Sequence, residues 1–531
     1  MTFLLVLIFY FIFFGAIALG IWLYIRSSLP NSTEKLIFSV IPLLIILLLS
    51  LILQEIFQQP SWPINGGRLI PSFALSLAYP LYPSPGDGPA WSALYGPVTA
   101  ITYLPTTLTV SPTDAILLGS IITAIIFFLP VLLLHIAYKK NIKHVSLGLF
   151  TFIGWCFYVL SSPSLTYSAF RIHADGIALG FGGLAMVFIY FRHHYKSIVF
   201  FILSAICITL SIWSKQVILP IIVALPIYIL FADGRRHFLS YLLCIISSFI
   251  IISGIFLLVF DPASMFHNLI VIPGSHPWDN SNKLIALVGS TRQLLKFSLL
   301  PIITVIFVIS LYFKNDIQTV KNIREWLKNN PWIASVALAI FLIPSSSAGF
   351  SKVGGDVNAF SFTLYFISIA ASLALLQLSI GEQNIFVLPD LIPSLAKLFI
   401  VISIIAFTIT ELPPSFPTLA RTLTNFRNNS TETAFLYAKK YPYETFFPWQ
   451  TLGTIMADRK IYHFVHGIND RNDANLPMNQ ETFKAYLPPK FQRVAFPNKI
   501  NKNVMTYLPE FNQKVEISEL PGWTVYEKNN P

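Results

Sequence analysis

Two aspartates and a scatter of cations, all set beside apolar runs, are the residues of this chain best able to do chemistry. Asp87 lies in Leu81-Tyr-Pro-Ser-Pro-Gly-Asp-Gly-Pro89, where neighbouring amides can hold a carboxylate and leave it reachable. The same setting also suits a plain Asx-type turn residue. Asp175 opens an apolar run in Arg171-Ile-His-Ala-Asp-Gly176. A carboxylate entering hydrocarbon is costly unless it faces a polar cavity, although a helix start also favours one through its dipole. Arg171 and His173 lie within one turn of it, so a cation-assisted site is one reading. Arg68, after Gly66-Gly67, suits a phosphate or a lipid headgroup. Lys215, in Trp213-Ser-Lys-Gln216, either snorkels to headgroups or pairs with a phosphate or buried carboxylate. His276 sits in Gly274-Ser-His-Pro-Trp-Asp279, a mix of imidazole and indole common on sugar-facing surfaces, without metal-ligand spacing. Lys352 and Asp356 flank a Gly354-Gly355 bend whose amides can approach an anion. The bend lacks the strand-then-helix setting of a P-loop.

The elements that must position these groups are dictated by composition. The chain has 531 residues, 55% hydrophobic and 11% charged, with mean hydropathy +0.67. A soluble domain carries about a quarter charged residues, so a polytopic membrane protein is expected. Apolar runs fall at 2–25, 36–57, 113–137, 145–161, 174–191, 197–213, 216–231, 238–260, 294–313, 332–349, 360–380 and 396–412. Period-2 alternation is absent, and a bilayer demands internally satisfied backbone, so the fold class is all-α with about 12 transmembrane helices. The first run reads as an uncleaved anchor, because it lacks a positive leader and continues past Ala16-Ile17-Ala18. Cys156, Cys207 and Cys244 lie inside apolar runs and read as small buried hydrophobes. The net charge of +11 sits largely in short loops. There it signals topology and meets membrane lipid, which argues against nucleic acid.

Applied loop by loop, the positive-inside rule places Arg26, Lys35, Lys139, Lys140, Lys143, Arg192, Lys196, Arg235, Arg236, Lys314, Lys321, Arg324 and Lys328 on the cytoplasmic side. The opposite face then receives loops 58–112, 261–293 and 350–359, the segment Ser161–Asp175, the turn at Lys215 and the tail. The expected division is a multi-span domain over 1–412 and a small extracytoplasmic C-terminal domain over 413–531.

Five short stretches resemble the GT-C superfamily of membrane glycosyltransferases. They are the Gly66-Gly-Arg68 start, the Leu81-Tyr-Pro83 middle and the Tyr95-Gly-Pro97 exit of the first loop, and Ala174-Asp-Gly176 followed by Trp213-Ser-Lys-Gln216. The tail's Phe447-Pro-Trp, Ile461-Tyr-His463 and Asp470-Arg471 are similar to tails of such proteins. The resemblance implies transfer of a sugar from a polyprenyl-phosphate donor to an envelope glycan, lipid or protein acceptor, on the non-cytoplasmic face of what is expected to be a bacterial plasma membrane. It implies a carboxylate base in the first loop, here Asp87 or Glu55, and a second acid at Asp175, with a divalent metal left open. Arg68, Lys215 and Lys352 become phosphate partners, and Tyr95, Arg171, His173, His276 and Asp356 further substrate contacts. One departure is Asn65, where related sequences tend to carry an acid. The other class of protein compatible with these features is a non-catalytic envelope protein or a lipid-linked-glycan transporter on the same scaffold.

Overall fold

A computed structural model describes residues 1–27, 32–139, 145–315, 320–380, 415–497 and 500–528. Among these, nine helices are long and apolar enough to cross a membrane. A tenth span arises if Gly148–Ser161 and Pro163–Phe170 are joined across their 99° bend. The expected run 197–213 forms the helix Val199–Ile212, whose 14 residues reach about 21 Å at 1.5 Å per residue, short of a hydrocarbon core of about 30 Å. The expected run 396–412 lies outside the described residues. The expected outer loop 261–293 is partly helical, since the helix Lys283–Asn315 begins well before residue 294. Its early Leu284, Ile285 and Val288 are exposed, as lipid-facing side chains would be.

The span Val357–Gln377 is the centre of the bundle, with 94% of its apolar window buried, against 17% for Thr2–Arg26 and Arg235–Val259 at the periphery. Lipid offers no hydrophobic drive between helices, so packing and interhelical hydrogen bonds must hold them. Phe127, Trp155 and Tyr365 interlock in the core. Trp155 Nε1 donates to Ser368 Oγ at 3.0 Å, and the Tyr365 hydroxyl donates to the Phe127 carbonyl at 2.9 Å.

The tail departs from an all-helical reading. Its short helices surround a four-stranded sheet of β1 (Thr445–Phe446), β2 (Arg493–Phe496), β3 (Phe511–Val515) and β4 (Thr524–Lys528), in the order β1-β2-β4-β3. β1 pairs with β2 in parallel, and the other pairs are antiparallel. Strands of two to five residues are too short to leave a periodic signature.

Close backbone approach seats this tail on the first loop. The Phe464 amide donates to the Ala90 carbonyl at 2.7 Å, and the Ala90 amide donates to His463 Nδ1 at 2.8 Å. His463 Nε2 then donates to the Phe483 carbonyl at 2.8 Å, which fixes the neutral tautomer. Burial pushes this imidazole down to about 4, so it stays neutral near pH 7. Gly467 lies so close to Trp91 that a Cβ there would stand 2.5 Å from the Trp91 Cα, and one on Gly67 would enter the Phe464 ring.

Candidate functional site

A cavity of about 480 Å³ opens where the first loop, the bend before Asp175, the Lys215 turn, the 351–358 segment and the tail converge. Its volume is within the range of small-molecule sites. One wall comes from the helix Pro63–Ser76, which carries Arg68. Asn65 fastens that helix: its amide Nδ2 donates to both oxygens of Gln59 at 3.0 and 2.9 Å, while its Oδ1 accepts from the Ile172 amide at 3.3 Å. A carboxylate at 65 would face two acceptor oxygens with nothing to donate. The amide is therefore demanded by packing, which accounts for the departure noted in the sequence.

Asp175, fully buried at the start of the helix Ala174–Tyr195, is the hub. Its Oδ1 pairs with the Lys215 ammonium. Its Oδ2 accepts from Asn358 Nδ2 at 2.5 Å and stands 2.8 Å from His173 Nδ1. The same Nδ1 lies 3.3 Å from the Asp175 amide, and one nitrogen cannot donate to the carboxylate and accept from the amide. We assign the proton to Nδ1 on the shorter contact. Nε2 then accepts from the Tyr95 hydroxyl at 2.8 Å. Burial pushes the Tyr95 phenol up, which keeps its proton in place for that bond. Lys215 stands 5.3 Å from the Tyr95 ring centroid and 5.5 Å from that of Phe362, so apolar and aromatic walls surround the charge.

Arg68 reaches the same cavity. Its Nη2 donates to the Tyr167 hydroxyl at 2.5 Å and its Nη1 to the Ile172 carbonyl at 3.3 Å. Lys352 lines the wall with Nζ donating to the Pro273 carbonyl at 2.8 Å, and its backbone bridges Trp278. His276 also lines it, Nε2 lying 3.0 Å from the Asp470 carbonyl. Asp356 is at an exposed edge, its Oδ1 taken up by the Val357 amide at 2.7 Å. Arg68, Tyr95, His173, Lys215, His276, Lys352 and Asp356 thus line a single cavity. The structure does not bring Arg171 or Asp87 to it. The Arg171 guanidinium lies over the Trp62 and Tyr167 rings at 4.0 and 4.3 Å, a stacking that holds it on the cavity's outer side. Asp87 is exposed on its turn, accepting from the Gly88 amide and the Tyr486 hydroxyl at 2.8 Å each. These contacts close the turn and tie it to the tail, and neither reaches the cavity. Asp87→Asn is expected to keep stability within about 0.5 kcal/mol of wild type, read by thermal unfolding; a larger loss would show that the carboxylate does more than close an exposed turn.

Ser92, Asn358 and Tyr167 were not singled out from sequence, and Asp470 only as part of the tail's Asp470-Arg471 pair, without a role. Asp470 comes from the tail helix Val465–Asp473 and accepts from Ser92 Oγ at 2.5 Å. Its remaining surface faces the cavity, and burial pushes its carboxyl up to about 6. The available signals were that Asp470-Arg471 resemblance and the i, i+3 pair Asp470 and Asp473. Among the described residues no group of three or more His, Cys, Asp or Glu side chains is arranged to hold a metal ion. At Asp175 the Lys215 ammonium already stands where a divalent cation would need an oxygen, so this donor set does not fit one.

One solved structure that shares the fold of this bundle and its capping tail is ArnT from Cupriavidus metallidurans bound to undecaprenyl phosphate, at TM-score 0.52 and 11% identity, covering 91% of this chain and 97% of that one. No protein-family model matches the sequence, and neither does any curated protein.

Proposed function

We propose that this protein is a membrane glycosyltransferase that moves a sugar from a polyprenyl-phosphate donor to an envelope glycan, lipid or protein acceptor on the non-cytoplasmic face. The observation that carries the reading is a cavity at the ends of the spans that gathers Arg68, Lys215 and Lys352 around one space. Lys215 already has Asp175 as its counter-charge, whereas Arg68 and Lys352 bond only to neutral oxygens and can take an anion, which a lipid phosphate at the bilayer boundary supplies. The structural relative holds undecaprenyl phosphate, and the basic loops Arg192–Lys196 and Arg235–Arg236 belong to the other ends of the spans, the cytoplasmic side by the positive-inside rule.

In this reading Arg68, Lys215 and Lys352 stabilise the charge that grows on the departing phosphate, an effect worth most where water is excluded. Asp175 and Asn358 hold Lys215 in place, and Tyr95 and His173 line the space for the sugar. Displacement at the anomeric carbon in one step inverts its configuration. A transporter would place ionisable groups along a path at mid-membrane depth; here they gather at one boundary, which favours surface chemistry. The test is lipid analysis of a deletion strain. A missing envelope sugar with an accumulated polyprenyl-phosphate sugar is expected. Unchanged lipids and glycans would defeat the proposal, as would reporter fusions at Tyr95 and Gly354 reporting opposite sides of the membrane.

A further inference from the structure

The cavity needs a base for the acceptor hydroxyl, and neither first-loop candidate provides one, since Glu55 and Asp87 both lie outside its lining. Asp87 faces solvent and Tyr486, and position 65 is an amide locked by Gln59 and Ile172. Among the described carboxylates near the cavity, Asp175 has both oxygens engaged by Lys215, Asn358 and His173. Asp356 caps the Val357 amide at an exposed edge. Asp473 is exposed. Asp470 differs from all of these: it is enclosed except toward the cavity, one oxygen is fixed by Ser92, and Oδ1 accepts no hydrogen bond.

We propose that Asp470, delivered by the C-terminal tail, is the group that takes the proton from the acceptor hydroxyl. The proposal rests on the glycosyl-transfer reading above. The acceptor O–H bond breaks as its proton passes to Asp470 Oδ1, and the freed oxygen pair forms the new bond to the sugar's anomeric carbon. The bond from that carbon to the phosphate oxygen breaks, its electron pair leaves on the polyprenyl phosphate, and Asp470 later returns the proton to water. The seating of the tail suits this role. The Ala90–His463 and Phe464–Ala90 hydrogen bonds flank Ser92, and Gly467 presses on Trp91, so the loop and the tail helix are clamped beside the carboxylate. Transfer then depends on a domain outside the membrane-spanning bundle, and the tail is part of the active site rather than a cover for it.

Burial raises the Asp470 carboxyl most; the Ser92 hydrogen bond, His276 and Arg68 lower it, and Asp473 raises it. Tyr95 also senses its charge. With the balance at about 6, the base is ionised above that pH and the rate falls as pH drops through it. Membranes from a deletion strain hold both accumulated donor and unmodified acceptor, so adding back purified protein and following donor disappearance measures transfer. Asp470→Asn, which still accepts from Ser92, is expected to lose about 10²–10⁴-fold and to lose the acid limb of the pH profile. Asp470→Glu should recover part of the rate with the limb displaced. Undecaprenyl-phosphate binding, read by thermal shift, should be unchanged in both. Wild-type transfer by Asp470→Asn, or an acid limb that persists in it, would overturn the assignment while leaving the glycosyltransferase reading intact. Failure of the wild-type protein to bind undecaprenyl phosphate or consume donor would bring down both.

Discussion

Asp175→Asn is expected to destabilise the protein by about 3–5 kcal/mol, because it leaves the Lys215 ammonium without its counter-charge in an enclosed site. Lys215 has 12% of its side-chain surface exposed and Asp175 none, so water reaches the ammonium only from the cavity side and replaces the pairing poorly. The loss is felt in the fold as well as at the site, since the carboxylate anchors Lys215, Asn358 and His173 at once. The double variant Asp175→Asn/Lys215→Met separates the two effects. Removing both charges restores most of the lost stability, because replacing a buried pair by neutral groups is close to neutral in cost. It should not restore transfer, since the ammonium that faces the phosphate is gone. Thermal unfolding in detergent and donor disappearance are the two readouts. An unchanged unfolding temperature in the single variant would refute the ion-pair account, and a double variant with normal transfer would remove Lys215 from the phosphate site.

What the sequence revealed was the geography. Lys215, His173 and Lys352 each stand out because a polar group beside hydrocarbon is costly, and loop charge sorts them to one end. Their partners were legible only in outline: that Lys215 meets a carboxylate could be proposed, but Asp175 and Asn358 lie 183 positions apart. Asp87 attracted notice as a carboxylate in a flexible turn, yet its contacts close that turn and tie it to the tail without reaching the cavity. Arg171 sits two residues from His173 but folds over Trp62 and Tyr167 instead, a choice of direction that spacing does not encode. Asp470 was hardest to see, because its role depends on a contact with Ser92 across 378 positions. Hydropathy locates spans; it does not say which face of a polar tail docks on which loop.

Arg68→Met is expected to cost transfer about 10²–10³-fold, the usual effect of deleting one donor aimed at developing charge, and to weaken undecaprenyl-phosphate binding. Two of the guanidinium's N–H groups are used to fix it, on the Ile172 carbonyl and the Tyr167 hydroxyl, and the rest are free to grip a phosphate bidentately. Loss of those two anchoring bonds should cost little stability, because Ile172 and Tyr167 line the cavity, where water can replace the guanidinium. Arg68→Lys tests the geometry as distinct from the charge: a single ammonium retains attraction for the phosphate but loses the fork, so binding should recover more than rate. The combination with Asp470→Asn adds a further discrimination. If Arg68 acts on the leaving phosphate and Asp470 on the incoming hydroxyl, both act in one transition state, and the two losses are expected to combine less than additively in free energy. Wild-type transfer by Arg68→Met would detach the phosphate from this wall of the cavity and leave Lys215 and Lys352 as its partners.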